Sequence, residues 1–121
     1  MCGITGIFSY SDISNQVDSE ELLRIREAMI SRGPDGAGLW LSENKRIGLA
    51  HRRLSIIDLS ESGAQPMSTH DGCYHVVFNG EIYNYQELRV QLEAKGYFFR
   101  SNSDTEVLLH LYAEYNARSE E

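Results

Sequence analysis

The chain has 121 residues, 41% of them hydrophobic, which suits one small domain with an adequate core. Its 18 acidic and 11 basic residues give a formal charge of −7, which excludes a nucleic-acid surface, because phosphate binding needs a clustered excess of lysine and arginine. No apolar run reaches the roughly 18 residues of a membrane helix, no basic-then-apolar leader opens the chain, and two cysteines are too few for a disulfide framework, so a cytoplasmic protein is expected.

In chain order, "GITGIFSY" reads as a strand, with Ile4, Ile7, Phe8 and Tyr10 among small residues and loop chemistry following at "SDISN". Asp18 and Glu21 stand at capping-box spacing before "ELLRIREAMI", where Leu22, Ile25 and Met29 share a helical face that Gly33 and Pro34 are expected to end. "AGLWLS" and "IGLAHRRLSIID" read as a strand pair around the turn "ENKR", and "LSESGAQPMS" as a loop. "CYHVVF" predicts a third strand running into "NGEIYN". Asn84 and Glu87 are expected to cap a helix that Gly96 ends. Ser103 and Glu106 cap a last helix with Val107, Leu108, Leu111, Tyr112 and Tyr115 on one side. The mixture predicts a layered α+β domain.

Four stretches carry candidate chemistry. Cys2 directly follows the initiator methionine, so removal of Met1 would leave a thiol beside its own free α-amine, which titrates near ~8 and can act as its base. The same cysteine could be a small buried hydrophobe, and Cys73 reads as structural. In "VVFNGEIYN" the Asn79-Gly80 pair is a leading signal for a hairpin turn. It also offers a side-chain amide and an unencumbered backbone N–H side by side, as a tetrahedral oxyanion requires. In "AHRRLSIID", strand alternation turns one of Arg52 and Arg53 inward, where its planar fork would match a carboxylate; the residues alone do not say which. In "SNSDTE", Asp104 either sits at a helix start for the dipole or pairs with a substrate ammonium. "SRGPDGAG" lacks the lysine and hydroxyl residue of a phosphate loop and reads as a rigid turn. The four histidines show no metal-ligand spacing, so no metal is expected.

Taken in order, "MCGI", "RGPDG", "HRRLSIID" with "AQPM", "NGEIYN" and "SDTE" resemble the glutaminase domain of glutamine-hydrolysing asparagine synthetases, class II glutamine amidotransferases of the N-terminal-nucleophile hydrolase group. The resemblance runs along residues 1–121 and implies two antiparallel β-sheets sandwiched between helices, here incomplete at the C-terminal side and without the ATP-binding synthetase domain. It implies Cys2 as nucleophile and Asn79 and Gly80 as oxyanion donors. It also implies Arg53 on the glutamine α-carboxylate, Leu54, Ser55, Ile56 and Ile57 as pocket wall, and Glu81 and Asp104 near the α-ammonium. The activity it implies is hydrolysis of L-glutamine to glutamate and ammonia, without a cofactor in this domain. ATP and magnesium belong to the absent synthetase domain, which would amidate aspartate. That domain is the expected partner, with a homodimer as one expected assembly. Two alternatives stand beside this: an amidotransferase with another ammonia acceptor, and a non-catalytic fragment that binds glutamine or a protein.

Overall fold

A computed structural model of the chain describes residues 2–10, 16–54 and 63–116. Its elements are β1 (Gly3–Phe8), α1 (Ser19–Glu27), β2 (Gly36–Leu41), β3 (Ile47–Arg53), β4 (Met67–Ser68), β5 (His75–Val76), α2 (Tyr85–Ala94) and α3 (Asp104–Tyr115). Among the described residues the architecture is α+β with antiparallel sheets and three helices. The elements form two compact units: β1, α1, β2 and β3 with residues 64–66 and 77–79, and β4, β5, α2 and α3.

In the first unit the strands lie in the order β1-β3-β2, with Gly3 opposite Arg52 on one side of β3 and Gly36 opposite Arg53 on the other. The β2–β3 turn falls at the expected "ENKR", where Lys45 takes a φ of 57° and the Ser42 hydroxyl accepts the N–H groups of Arg46 and Ile47. Alternation sends Gly48, Ala50 and Arg52 to one face and Leu49, His51 and Arg53 to the other. The first of these faces carries α1, whose Leu22 packs with Val17 against Gly48.

Asp18 caps α1 by accepting the Glu20 N–H at 2.9 Å. The helix was expected to run to Gly33-Pro34, but it ends at Glu27. Bonds from Met29 to Arg26, Ile30 to Glu27 and Arg32 to Met29 tighten the chain into short turns. These turns bring Gly33 onto the backbone of Arg52 and Arg53, where a Cβ would collide. Of the three residues expected on the apolar face, only Leu22 is fully buried.

In the second unit, β4 and β5 pair antiparallel, Met67 with Val76 and Ser68 with His75. The predicted strand "CYHVVF" is thus cut to its middle two residues, and the end of the expected loop "LSESGAQPMS" supplies its partner. The shortening has a local cause: the Phe78 N–H donates to the Gln65 side chain, not to a strand. Leu92, Phe99 and Val107 form the core, flanked by Tyr85, Leu88, Tyr97 and Leu111. Asn84 stands at the start of α2 but its side chain makes no capping bond, a departure from expectation, whereas Gly96 with φ 99° follows the helix end as predicted.

Ser103 caps α3 through the Thr105 N–H at 3.1 Å. The apolar stripe expected on α3 is displaced: Thr105, Glu106, Val107, Leu109 and His110 are buried, while Tyr112 and Tyr115 are exposed. No helix among the described residues is long and apolar enough to cross a membrane.

Candidate active site

The first unit places Cys2 just before β1, whose first residue Gly3 is level with Arg52 near the end of β3. The half-buried Cys2 Sγ accepts the Leu54 N–H at 3.3 Å and lies 3.6 Å from the Leu54 carbonyl oxygen. The thiol therefore sits against the residue that follows Arg53.

Strand parity gives the two arginines different surroundings. Arg52 is buried on the α1 face, where its Nε donates to the Gly33 carbonyl at 2.9 Å and its Nη1 reaches the Glu27 carboxylate at 3.4 Å. Arg53 falls on the opposite face, with Gly36 beside its Cβ. The "RGPDG" turn fixes the backbone of this pair, because the Asp35 N–H donates to the Arg53 carbonyl at 2.9 Å while Gly33 packs on the peptide between the arginines. Leu54 is placed against Cys2, as above; Ser55, Ile56 and Ile57 lie outside the described residues.

Asn79 and Gly80 are exposed and do not form a hairpin turn. Neither has the positive φ that a tight hairpin demands, and the chain passes from them towards α2 rather than into a second strand. Ahead of them, the Phe78 N–H donates to Gln65 Oε1 at 2.6 Å. Cys2, Arg53, Leu54 and Asn79 belong to the first unit, and Gly80, Glu81 and Asp104 to the second. Within the second, Asp104 is buried at the first position of α3, and its Oδ2 accepts the Ile82 N–H at 2.9 Å. That bond ties Asp104 to the backbone immediately after the exposed Glu81.

Two residues of this region escaped sequence reasoning. The sequence places Gln65 in a loop and in the "AQPM" of the resemblance, without a role. His51 had been weighed only as a metal ligand, although its spacing of two from Arg53 places both on one face. His51 is 1% exposed and, among the described residues, neither ring nitrogen has a hydrogen-bond partner. Burial pushes its pKa below 6.5 and the Arg53 charge adds to this, while the nearby Phe78 backbone opposes it without reaching hydrogen-bond geometry.

Cys73 is a free, exposed thiol rather than a packed one, and the Asp71 carboxylate beside it pushes its pKa up. Among the described residues, no group of three or more His, Cys, Asp or Glu side chains is arranged to hold a metal ion.

A family model described as a glutamine amidotransferase domain matches residues 1–120. The chain belongs to that family. This amidotransferase domain is similar to asparagine synthetase (glutamine-hydrolyzing) 1 of Bacillus subtilis, with 49% identity over 95% of the chain and 18% of the relative. Asparagine synthetase (glutamine-hydrolyzing) 1 of Arabidopsis thaliana is 44% identical over 95% of the chain and 19% of the relative. A protein named amidase chry2, of Gibberella zeae, is 40% identical over 95% of the chain and 18% of its own length. The amidotransferase domain thus spans less than a fifth of the length of these relatives.

Proposed function

We propose that this domain hydrolyses L-glutamine to glutamate and ammonia at Cys2, as the glutaminase part of an asparagine synthetase. The observation that carries the reading is the Cys2 thiol held against Leu54, directly beyond Arg53. Loss of Met1 frees the Cys2 α-amine to take the thiol proton. The thiolate attacks the glutamine carboxamide carbon, and the electron pair moves onto its oxygen, where the Asn79 side-chain amide and the Gly80 N–H donate. The α-amine gives its proton to the departing nitrogen, the C–N bond breaks, and water hydrolyses the resulting thioester to glutamate, restoring the thiol.

Arg53 pairs with the substrate α-carboxylate and Leu54 lines the pocket; Glu81 and Asp104 take the α-ammonium. Support comes from the glutamine amidotransferase match and from relatives whose names specify glutamine hydrolysis. The same reading assigns the N-terminal-nucleophile architecture of two antiparallel sheets between helical layers. It needs no cofactor for this half-reaction. A C-terminal synthetase domain using ATP and magnesium would pass the ammonia to aspartate. A relative from Gibberella zeae is named an amidase and not an asparagine synthetase, so the second reading leaves the ammonia acceptor as a carboxylate other than aspartate.

An intact-mass spectrum after exposure to an electrophilic glutamine analogue tests the reading. The expected species lacks Met1 and carries one adduct, which Cys2→Ala abolishes. A processed protein that takes no adduct overturns it.

A further inference from the structure

We propose that Gln65 is a positioning residue for the oxyanion site, its carboxamide oxygen fixing the peptide that leads into Asn79. The inference rests on the glutaminase reading and extends it to a residue that touches no substrate. Asn79 belongs to no helix or strand, and the backbone just before it has lost the ladder bonds that β5 enjoys. A donor in such a segment moves with its backbone unless something holds the chain. Gln65 does so from 13 residues away, accepting the Phe78 N–H at 2.6 Å.

The acceptor is itself anchored. Gln65 is 9% exposed, so water competes little for the bond. Its main-chain carbonyl lies on Gly38 of β2, where no Cβ would fit, and Gly38 stands opposite His51 in the β2–β3 register. The chain of support thus runs from a paired sheet to Gln65, to Phe78 and on to Asn79. Donors that stabilise a developing oxyanion act only if they are held in place before charge develops, and a misplacement of about 1 Å forfeits much of the effect.

The experiment compares Gln65→Met, which keeps length and removes the acceptor, with Gln65→Glu, which keeps an acceptor, each alone and with Asn79→Ala. For Gln65→Met, kcat for glutamate release should fall about tenfold with KM little changed, as expected for loss of one hydrogen bond felt in the transition state. Gln65→Glu should recover most of the rate, and Gln65→Met should cost nothing further in the Asn79→Ala background, because the two act as one unit. A raised KM at constant kcat, or losses that add fully, overturns the proposal.

Wild-type protein that releases no glutamate overturns the glutaminase reading instead. The positioning role is then decided by the NMR signals of the Asn79 side-chain amide. They shift in Gln65→Met and return in Gln65→Glu if Gln65 orients that residue, and an unmoved signal in a folded variant rejects the role.

Discussion

Arg52 and Arg53 are chemically identical neighbours, and their surroundings divide the work between them. Arg52 spends its guanidinium on the Gly33 carbonyl and on Glu27, so it joins the end of α1 and the following turn to the sheet. Replacing Arg52 by Ala should lower stability by about 2 kcal/mol, since a buried carbonyl loses a charge-assisted donor. Urea midpoints read that loss, and KM for glutamine should stay near its wild-type value. Arg53→Ala should instead raise KM by about 30-fold or more, through loss of a two-pronged carboxylate contact. An Arg53→Ala protein with normal KM would return the carboxylate role to Arg52. The arginine pair was legible in the sequence as one inward and one outward residue. Which was which depended on where α1 packs, a fact of tertiary structure that alternation alone does not contain. Asn79-Gly80 shows the opposite case: the dipeptide was legible as two rival readings, and the hairpin fails because, among the described residues, no strand follows to complete it.

At the scale of elements, α3 shows how a local sequence rule reaches beyond its own spacing. Ser103 and Glu106 have the spacing of a capping box, whose acid would return to the cap N–H. Ser103 does cap the helix, but its own N–H goes to the Ser101 hydroxyl. Glu106 reaches further back, accepting the N–H groups of Arg100 and Ser101 at 2.8 Å each and the Ser101 hydroxyl at 2.6 Å, with His110 Nε2 at 3.2 Å. Burial opposes the Glu106 charge, yet the bonds from His110, Ser101 and Arg100 together outweigh it and hold the pKa down from 4.5 to about 2. Because the folded value is below the unfolded one, the unfolded chain takes the proton first. The stabilisation is complete above pH 4.5 and is lost as pH falls from there to about 2, with a total on the order of 3 kcal/mol. Glu106→Gln should flatten this limb of the stability–pH curve, measured by urea unfolding from pH 6 down to pH 3 (about the range where folding remains measurable). A parallel curve for the variant would remove Glu106 from that account. His51 works at higher pH with the same sign: its depressed folded pKa makes stability fall as pH drops below 6.5. Helix positions and the β2–β3 hairpin were legible from periodicity and turn residues. The two-residue strands were not, since so short a pairing has no alternation to read and Phe78 finds a side-chain acceptor instead of a strand.

For the whole molecule, the order of short motifs carried more information than any element. "RGPDG" and "HRRL" are separated in sequence, yet the first is the turn that clamps the backbone of the second, and "AQPM" supplies the side chain that holds the residue before Asn79. The reasons these stretches occur together lie in contacts that no single window displays. The same motifs bound what 121 residues accomplish by themselves. Converting a carboxylate and ammonia into an amide in water is uphill and needs the carboxylate to be activated. The B. subtilis relative is matched over only 18% of its length. Given glutamine, aspartate, ATP and magnesium, this domain assayed alone should release glutamate and ammonia in equal amounts, leave ATP intact and form no asparagine. Amino-acid analysis together with an ammonia assay reads every product. Asparagine formed by these residues alone would show that the acceptor chemistry lies within them. Glutamate with ammonia and nothing else places the choice of acceptor outside them, and joining the domain to a synthetase domain should then turn ammonia release into asparagine formation.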